Sequence, residues 1–236
     1  MLCVVITQSK DFGYETPSLT VDVVLFTIAD AKLKCLLIRR AQPPFRGSWA
    51  LPGGFVRVNE SLEEAAFREL QEETSVRNVF LEQLYTFGTP GRDPRGRIVT
   101  VSYYALIDST KHRLQAGTDA DRARWFPVSN LPRLAFDHRI IVDAALRRLR
   151  AKANYTTVAF QLIQGDFTID ELQRTYSVIL DEKIDRRNFR KKILSAGILH
   201  DTGRRTKGLP SRPGKLYRLS KPGIERLPER GIVMQD

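Results

Sequence analysis

The chain has 236 residues, 42% of them hydrophobic, and carries 38 Lys and Arg against 27 Asp and Glu, a net charge of +11. Such a length and apolar content suit two packed domains, one medium and one small, and exclude a disordered chain. No apolar run approaches the ~18 residues that span a bilayer.

The short apolar stretch Leu2–Ile6 lacks the basic flank and cleavage pattern of a signal peptide, so a cytoplasmic protein with no membrane partner is expected. Cys3 and Cys35 have neither metal nor redox spacing and read as reduced packing residues. The charge is unevenly placed: residues 1–150 are net +4, residues 151–236 net +7, and the window 183–218 holds 12 basic residues and 2 acidic ones. One dense positive block suits a polyanion, either nucleic acid or an anionic membrane.

In chain order, Thr20–Ile28 and Lys34–Ile38 are rich in β-branched and apolar residues and predict paired strands around the Ala29-Asp30-Ala31 turn. A short strand is expected to end at Gly53-Gly54. Ser61–Thr74 predicts a helix, Asp93-Pro94-Arg95-Gly96 a turn, Arg97–Ile107 a strand, and Trp125-Phe126-Pro127 the close of another. Arg139–Lys152 is amphipathic, with Ile140, Ile141, Ala144 and Leu146 set against Arg147, Arg148 and Arg150. It predicts the last helix of a first domain, 1–150, leading into a second, 151–236. No internal repeat or low-complexity segment is visible.

The sharpest chemistry lies between Gly54 and Val76. Ser61-Leu62-Glu63-Glu64 fits a capping box, and Leu62, Ala66 and Leu70 form the expected buried stripe. Glu69, Glu72 and Glu73 share one face at i, i+3 and i+4, which costs roughly 0.2–0.5 kcal/mol per pair in an isolated helix. A divalent cation would offset that repulsion, and magnesium takes oxygen ligands together with phosphates. Arg68, four residues before Glu72, is placed to brace the cluster. Three glutamates alone are also what a solvated acidic face looks like; the order of the whole segment decides between the two.

Gly54, Glu60, Arg68, Glu69, Leu70, Glu72, Glu73 and Val76 stand in the register of the Nudix box, with Ser75 where the pattern has Gly. The segment therefore resembles the Nudix family. The likeness extends through RGSWALPGGF before the box and DPRGR, ARWFPVSNLP and LAFDHRIIVDAAL after it, and looks like the ADP-ribose-handling branch. The resemblance implies an α/β/α sandwich and makes Glu69, Glu72 and Glu73 the candidates for magnesium. It makes Arg40, Gly53, Gly54, Arg92, Arg95 and His138 the candidates for an ADP-ribose ligand. Two departures weigh against hydrolysis: Ser75, and Arg122 where hydrolases of this branch commonly carry an acid, though Asp121 stands beside it. No catalytic residue is therefore expected; if hydrolysis persists, the same three glutamates would carry it. His112 and His200 show no ligand or triad spacing.

The C-terminal block reads differently. Thr168-Ile169-Asp170-Glu171 is a second capping box, followed by a helix expected to bury Leu172, Tyr176 and Ile179. Asp185 is placed to cap the next helix, RRNFRKKILSAG, which ends near Gly197. At 100° per residue Phe189 and Ile193 point to one side. Arg187 and Lys191 point to the other, flanked by Arg186, Asn188, Arg190 and Lys192. A strand at Ile198–His200, a Gly, Pro and basic loop over 201–214, and a return strand at Lys215–Leu219 complete a winged helix-turn-helix. The wing would bring Arg204, Arg205, Lys207 and Arg212 to phosphates, with Arg187 and Asn188 reading bases.

A Nudix-like domain followed by IDRRNFRKKI and KLYRL resembles the Nudix-related transcriptional regulators of NAD metabolism, the NrtR family. The resemblance implies a homodimeric repressor of NAD synthesis or salvage genes that binds double-stranded operator DNA and is released by ADP-ribose. The rival reading is an active ADP-ribose pyrophosphatase whose basic tail binds nucleic acid.

Overall fold

The computed structural model describes residues 16–109, 123–163, 165–206 and 213–220. The expectations placed on Leu2–Ile6, Cys3, His112, Asp121, Arg122, Lys207 and Arg212 lie outside these residues.

β1 (Ser18–Ala29) and β2 (Lys32–Arg39) form the expected antiparallel pair, turning at Asp30 and Ala31. Two short strands follow, β3 (Trp49–Ala50) and β4 (Gly53–Phe55), then α1 (Leu62–Thr74). β5 (Glu82–Phe87), β6 (Ile98–Leu106) and β7 (Ala123–Pro127) complete a seven-stranded mixed sheet. Its main path runs β3-β2-β1-β6-β5, with β1 and β6 parallel. β1 is shared: its end, Phe26–Ala29, pairs with β2, while its start, Thr20–Asp22, pairs with β4. Gly53-Gly54 thus begins a strand rather than ending one. The divergence of β2 from β4 opens the sheet beside Asp22.

Side chains alternate across the sheet with the strand period of two. Val21, Val23 and Leu25 pack with Ala65, Ala66 and Leu70 of α1. Val24 and Phe26 pack with Ile141, Ala145 and Leu149 of α2 (His138–Tyr155), so helices cover both faces. The stripe buried by α2 is Ile141, Val142, Ala145, Leu149 and Ala153; Ile140, expected inside, is 57% exposed. Of the expected stripe, Ile141 is buried, while Ala144 and Leu146 are half-buried.

A 3-10 turn over Val158–Leu162 leads to α3 (Ile169–Leu180), α4 (Arg186–Ser195) and the hairpin β8 (Leu199–Arg205) with β9 (Lys215–Leu219). β8 runs five residues beyond His200, so residues 201–205, expected to begin a loop, belong to a strand. Leu172, Tyr176, Ile179, Phe189, Ile193 and Tyr217 form the core under this module, and it is continuous with the α2 side of the sheet. The expected division at 150/151 falls inside α2, which runs unbroken from one module into the other. Among the described residues no helix is long and apolar enough to cross a membrane.

Candidate functional site

α1 starts where its capping box dictates: the Ser61 N–H donates to Glu64 and the Glu64 N–H to the Ser61 hydroxyl. It stops at Ser75, which adopts the left-handed conformation (φ 62°, ψ 9°) that a Gly would take without strain. That conformation costs a residue with a Cβ about 1–2 kcal/mol. Arg68 braces the face shared by Glu69, Glu72 and Glu73, as expected. Its guanidinium grips Glu60 at 2.6 and 2.8 Å and Glu69 at 2.6 Å, with Glu72 3.5 Å away. It holds the Glu60 carboxyl down to about 2. Glu72 is exposed and also lies 3.6 Å from Arg57. Glu73 instead turns inward and accepts from the Gly53 N–H at 2.9 Å.

The two glycines serve these carboxylates by having no side chain. A Cβ at Gly54 would collide with the Glu69 carboxylate, and one at Gly53 with the Val21 carbonyl. Among the described residues no three His, Cys, Asp or Glu side chains stand together as a ready metal site. Glu73 nonetheless marks a place short of positive charge. Burial, with Glu69 and Asp22 nearby, pushes its carboxyl up to about 8.

That shift has a signed consequence. In metal-free buffer the folded chain keeps the Glu73 proton up to about pH 8, whereas the ordinary carboxyl value is 4.5. Between those values the folded state binds the extra proton, so this contribution to stability is full at low pH and is lost as pH rises through 8. Glu73→Gln should remove the dependence. Urea melts in EDTA at pH 5.5 and 8.5 should show the wild type losing about 1–3 kcal/mol relative to the variant. Parallel losses in both proteins would reject the assignment.

Opposite Glu73 the arginines converge. A cavity of about 240 Å³ is lined by Ile38, Arg39, Arg40, Ala41, Gln42, Glu72 and Glu73. Arg40 also lines a recess of about 30 Å³, together with Asp22, Gly53, Gly54, Arg92, Arg95, Phe136 and His138. Thus the six expected ligand residues meet in one place. Arg40 lies over the Phe136 ring at 4.7 Å, and Arg95 over Phe55 at 4.9 Å and Phe136 at 5.4 Å. Burial and the neighbouring Arg95 both disfavour the Arg40 charge, a tension that an anion would relieve. Arg92 is almost fully buried: it forks onto Asp137 at 2.6 and 2.9 Å and lies 3.6 Å from Asp22. His138 accepts from the Leu51 N–H at 2.9 Å through Nδ1 and faces Asp22 through Nε2 at 3.4 Å. Burial lowers its pKa, so it is a neutral pin under the recess.

Sequence reading missed Asp22, Asp137, Phe45, Phe55 and Phe136. Asp22 had a visible signal, a single acid within the apolar run TVDVVLFTI. The Phe rings had none, since Phe136 meets Phe45 only through the fold, at 4.9 Å.

The second constellation is the outer face of α4. Asp185 caps it by accepting from the Asn188 N–H at 2.8 Å. Phe189 and Ile193 are buried, while Arg186, Arg187, Asn188, Arg190 and Lys191 are exposed and Lys192 half-buried. On the wing, Arg205 donates to the Pro213 carbonyl at 3.3 Å. Arg204, expected at phosphates, turns back onto Asp166, which also takes Arg218 at 2.7 Å. The Asp166 carboxylate, 9% exposed, thus holds two arginines that are themselves largely exposed.

The NUDIX domain family matches residues 18–145, and the NrtR DNA-binding winged helix domain family matches residues 159–219. The ADPR responsive transcriptional repressor NtrR of Acinetobacter baylyi is 34% identical over 219 residues, which is 91% of this chain and 87% of that one. An ADP-ribose pyrophosphatase of Methanocaldococcus jannaschii is 40% identical over 134 residues, 57% of this chain and 76% of that one. The crystal structure of Shewanella oneidensis NrtR complexed with a 27mer DNA superposes with a TM-score of 0.75 at 41% identity, covering 85% of this chain and 93% of that one. The NUDIX domain of the same Shewanella protein, complexed with ADP ribose, matches at 40% identity and a TM-score of 0.53, over 60% of this chain and 94% of that domain.

Proposed function

The chain belongs to the Nudix family, in the branch that carries an NrtR-type winged helix, and from that premise we propose that it is an ADP-ribose-responsive transcriptional repressor. Residues 1–150 sense the ligand, residues 151–236 bind operator DNA, and the regulated genes serve NAD synthesis or salvage in the cytoplasm. The observation that carries this reading is the pairing of two anion-seeking surfaces at opposite ends of α2. One is the arginine-lined cavity; the other is the cationic face of α4.

Arg40 and Arg95 take the pyrophosphate, and Phe136, Phe45 and Phe55 offer rings for a base to stack upon. Magnesium fits the donor set of Glu69 and Glu73, because it accepts few carboxylates and completes its shell with water and phosphate oxygens. When bound, it would supply charge for the pyrophosphate. Arg187 and Asn188 read bases from the start of α4, while Arg186, Arg190, Lys191, Lys192 and Arg205 hold phosphates. Two copies present two recognition helices about 34–36 Å apart, which makes the working unit a homodimer.

The test is one experiment at fixed salt, since DNA affinity itself falls steeply with salt. Saturating ADP-ribose should weaken binding to a duplex selected in vitro on the full chain by about 5- to 150-fold. Equal affinity with and without ADP-ribose would overturn the reading.

The likeness to the archaeal pyrophosphatase favours a second reading, hydrolysis. Against it stands the left-handed Ser75, at the end of α1 where the Nudix pattern has Gly. Incubation with ADP-ribose and magnesium should release AMP far more slowly than the ~1 per second of an ordinary enzyme.

A further inference from the structure

α3 ends without a cation of its own. Its last turn holds no Lys, Arg or His, and its carbonyls give way to Asp181 in a left-handed cap (φ 62°). Helix C-termini carry partial negative charge and attract a cation. Here the cation comes from the other module. Arg150 on α2 donates through Nε to the Ile179 carbonyl at 3.1 Å and through a terminal nitrogen to Asp181 at 3.3 Å. Its neighbours on α2 face elsewhere: Lys152 bonds Glu82 of β5 at 2.5 Å, and Arg148 approaches the same carboxylate at 4.0 Å.

The opposite end of α2 sits in the ligand recess. Asp137, the residue before the helix, is forked by Arg92, and His138, its first residue, is pinned to Leu51. An 18-residue helix is rigid and about 27 Å long. Beyond Arg150 the chain of contacts continues. Gln173 of α3 donates to the Ile184 carbonyl at 2.8 Å, which fixes the turn between α3 and α4. The two helices therefore move as a unit, and Arg150 grips that unit where it leaves α3. Beside the grip lies a groove of about 420 Å³ between the modules, lined by Lys32, Val128, Arg150, Val178, Asp181 and Lys183, which leaves room for the unit to shift.

We infer that Arg150 is the positioning residue that couples the ligand recess to the recognition helix. The inference rests on the proposed function. A pyrophosphate bound at the recess draws Arg92 away from Asp137, α2 slides against the sheet, and Arg150 carries the displacement to α3 and α4. Small shear of packed helices is a known way for a ligand to bias an interface.

The experiment measures coupling as the ratio of DNA dissociation constants with and without ADP-ribose, in the full chain, by anisotropy on a labelled duplex selected in vitro. The wild type should show a ratio of about 5 to 150. Arg150→Ala should bind ADP-ribose, and DNA in its absence, within a few-fold of wild type, yet give a ratio below about 2. Arg150→Lys keeps a cation at the α3 terminus and should restore part of the ratio. Asp181→Ala should leave the ratio intact, because that carboxylate is 81% exposed and such ion pairs are weak. A wild-type ratio in Arg150→Ala overturns the inference alone. A ratio of one in the wild type overturns the proposed function, and the inference with it. If Arg150→Ala instead lowers the melting temperature and abolishes DNA binding outright, the residue is a structural brace and the inference also fails.

Discussion

Arg92→Ala is expected to abolish ADP-ribose binding and to lower stability by about 3–5 kcal/mol, the range seen when one partner of a buried ion pair is removed. The guanidinium is 4% exposed and lies between two carboxylates, Asp137 and Asp22, themselves 15% and 9% exposed. Removing it leaves both acids in a poorly solvated place with no cation between them. His138 cannot replace it, because its Nδ1 already accepts from Leu51 and burial keeps the ring neutral. Arg92→Lys should recover part of the stability but little of the binding, since an ammonium cannot offer a pyrophosphate the forked pair of donors that a guanidinium does. Urea denaturation would measure the first effect and isothermal titration the second. A variant as stable as wild type, binding ADP-ribose normally, would remove Arg92 from both roles.

What the sequence made legible was local. Both capping boxes, the Asp185 cap and the Phe189/Ile193 side of α4 depend on residues within four positions of one another, and each is found as read. The Nudix register likewise brought Arg40, Arg92, Arg95 and His138 to one recess. What escaped reading was contact between distant segments. Arg92 and Asp137 are 45 residues apart, and Arg150 and Ile179 are 29 apart, so no spacing rule relates them. β5 escaped because it is an edge strand of six residues with Leu84 as its one buried side chain. On the glutamate face the bracing by Arg68 was legible, whereas the inward turn of Glu73 onto the Gly53 N–H, 20 residues away, was not. The pairing of Arg204 with Asp166 was hidden in the same way, since nothing near Arg204 in sequence announces that acid.

Arg187→Ala should cost about 1–3 kcal/mol on the specific DNA site, roughly 5- to 150-fold in affinity, and relax base preference at one position of each half-site. The geometry that supports this is the start of α4. Recognition helices contact base edges with their N-terminal residues, and Arg187 is exposed in the first turn, one residue before the capped Asn188. Phe189 and Ile193 bury the opposite side, so the helix has one orientation in which its cations can face outward. Because Arg187 packs against nothing in the core, the melting temperature should stay within experimental error of wild type. Arg205→Ala on the wing is the control. Its expected contact is a phosphate, so it should weaken specific and non-specific duplexes alike and flatten the dependence of log affinity on log salt by about one unit. Anisotropy titrations over a salt series, on the selected duplex and on single-base variants of it, separate the two effects. If Arg187→Ala shifts every sequence equally, it holds a phosphate, and the base-reading face lies one turn further along α4, at Arg190 and Lys191.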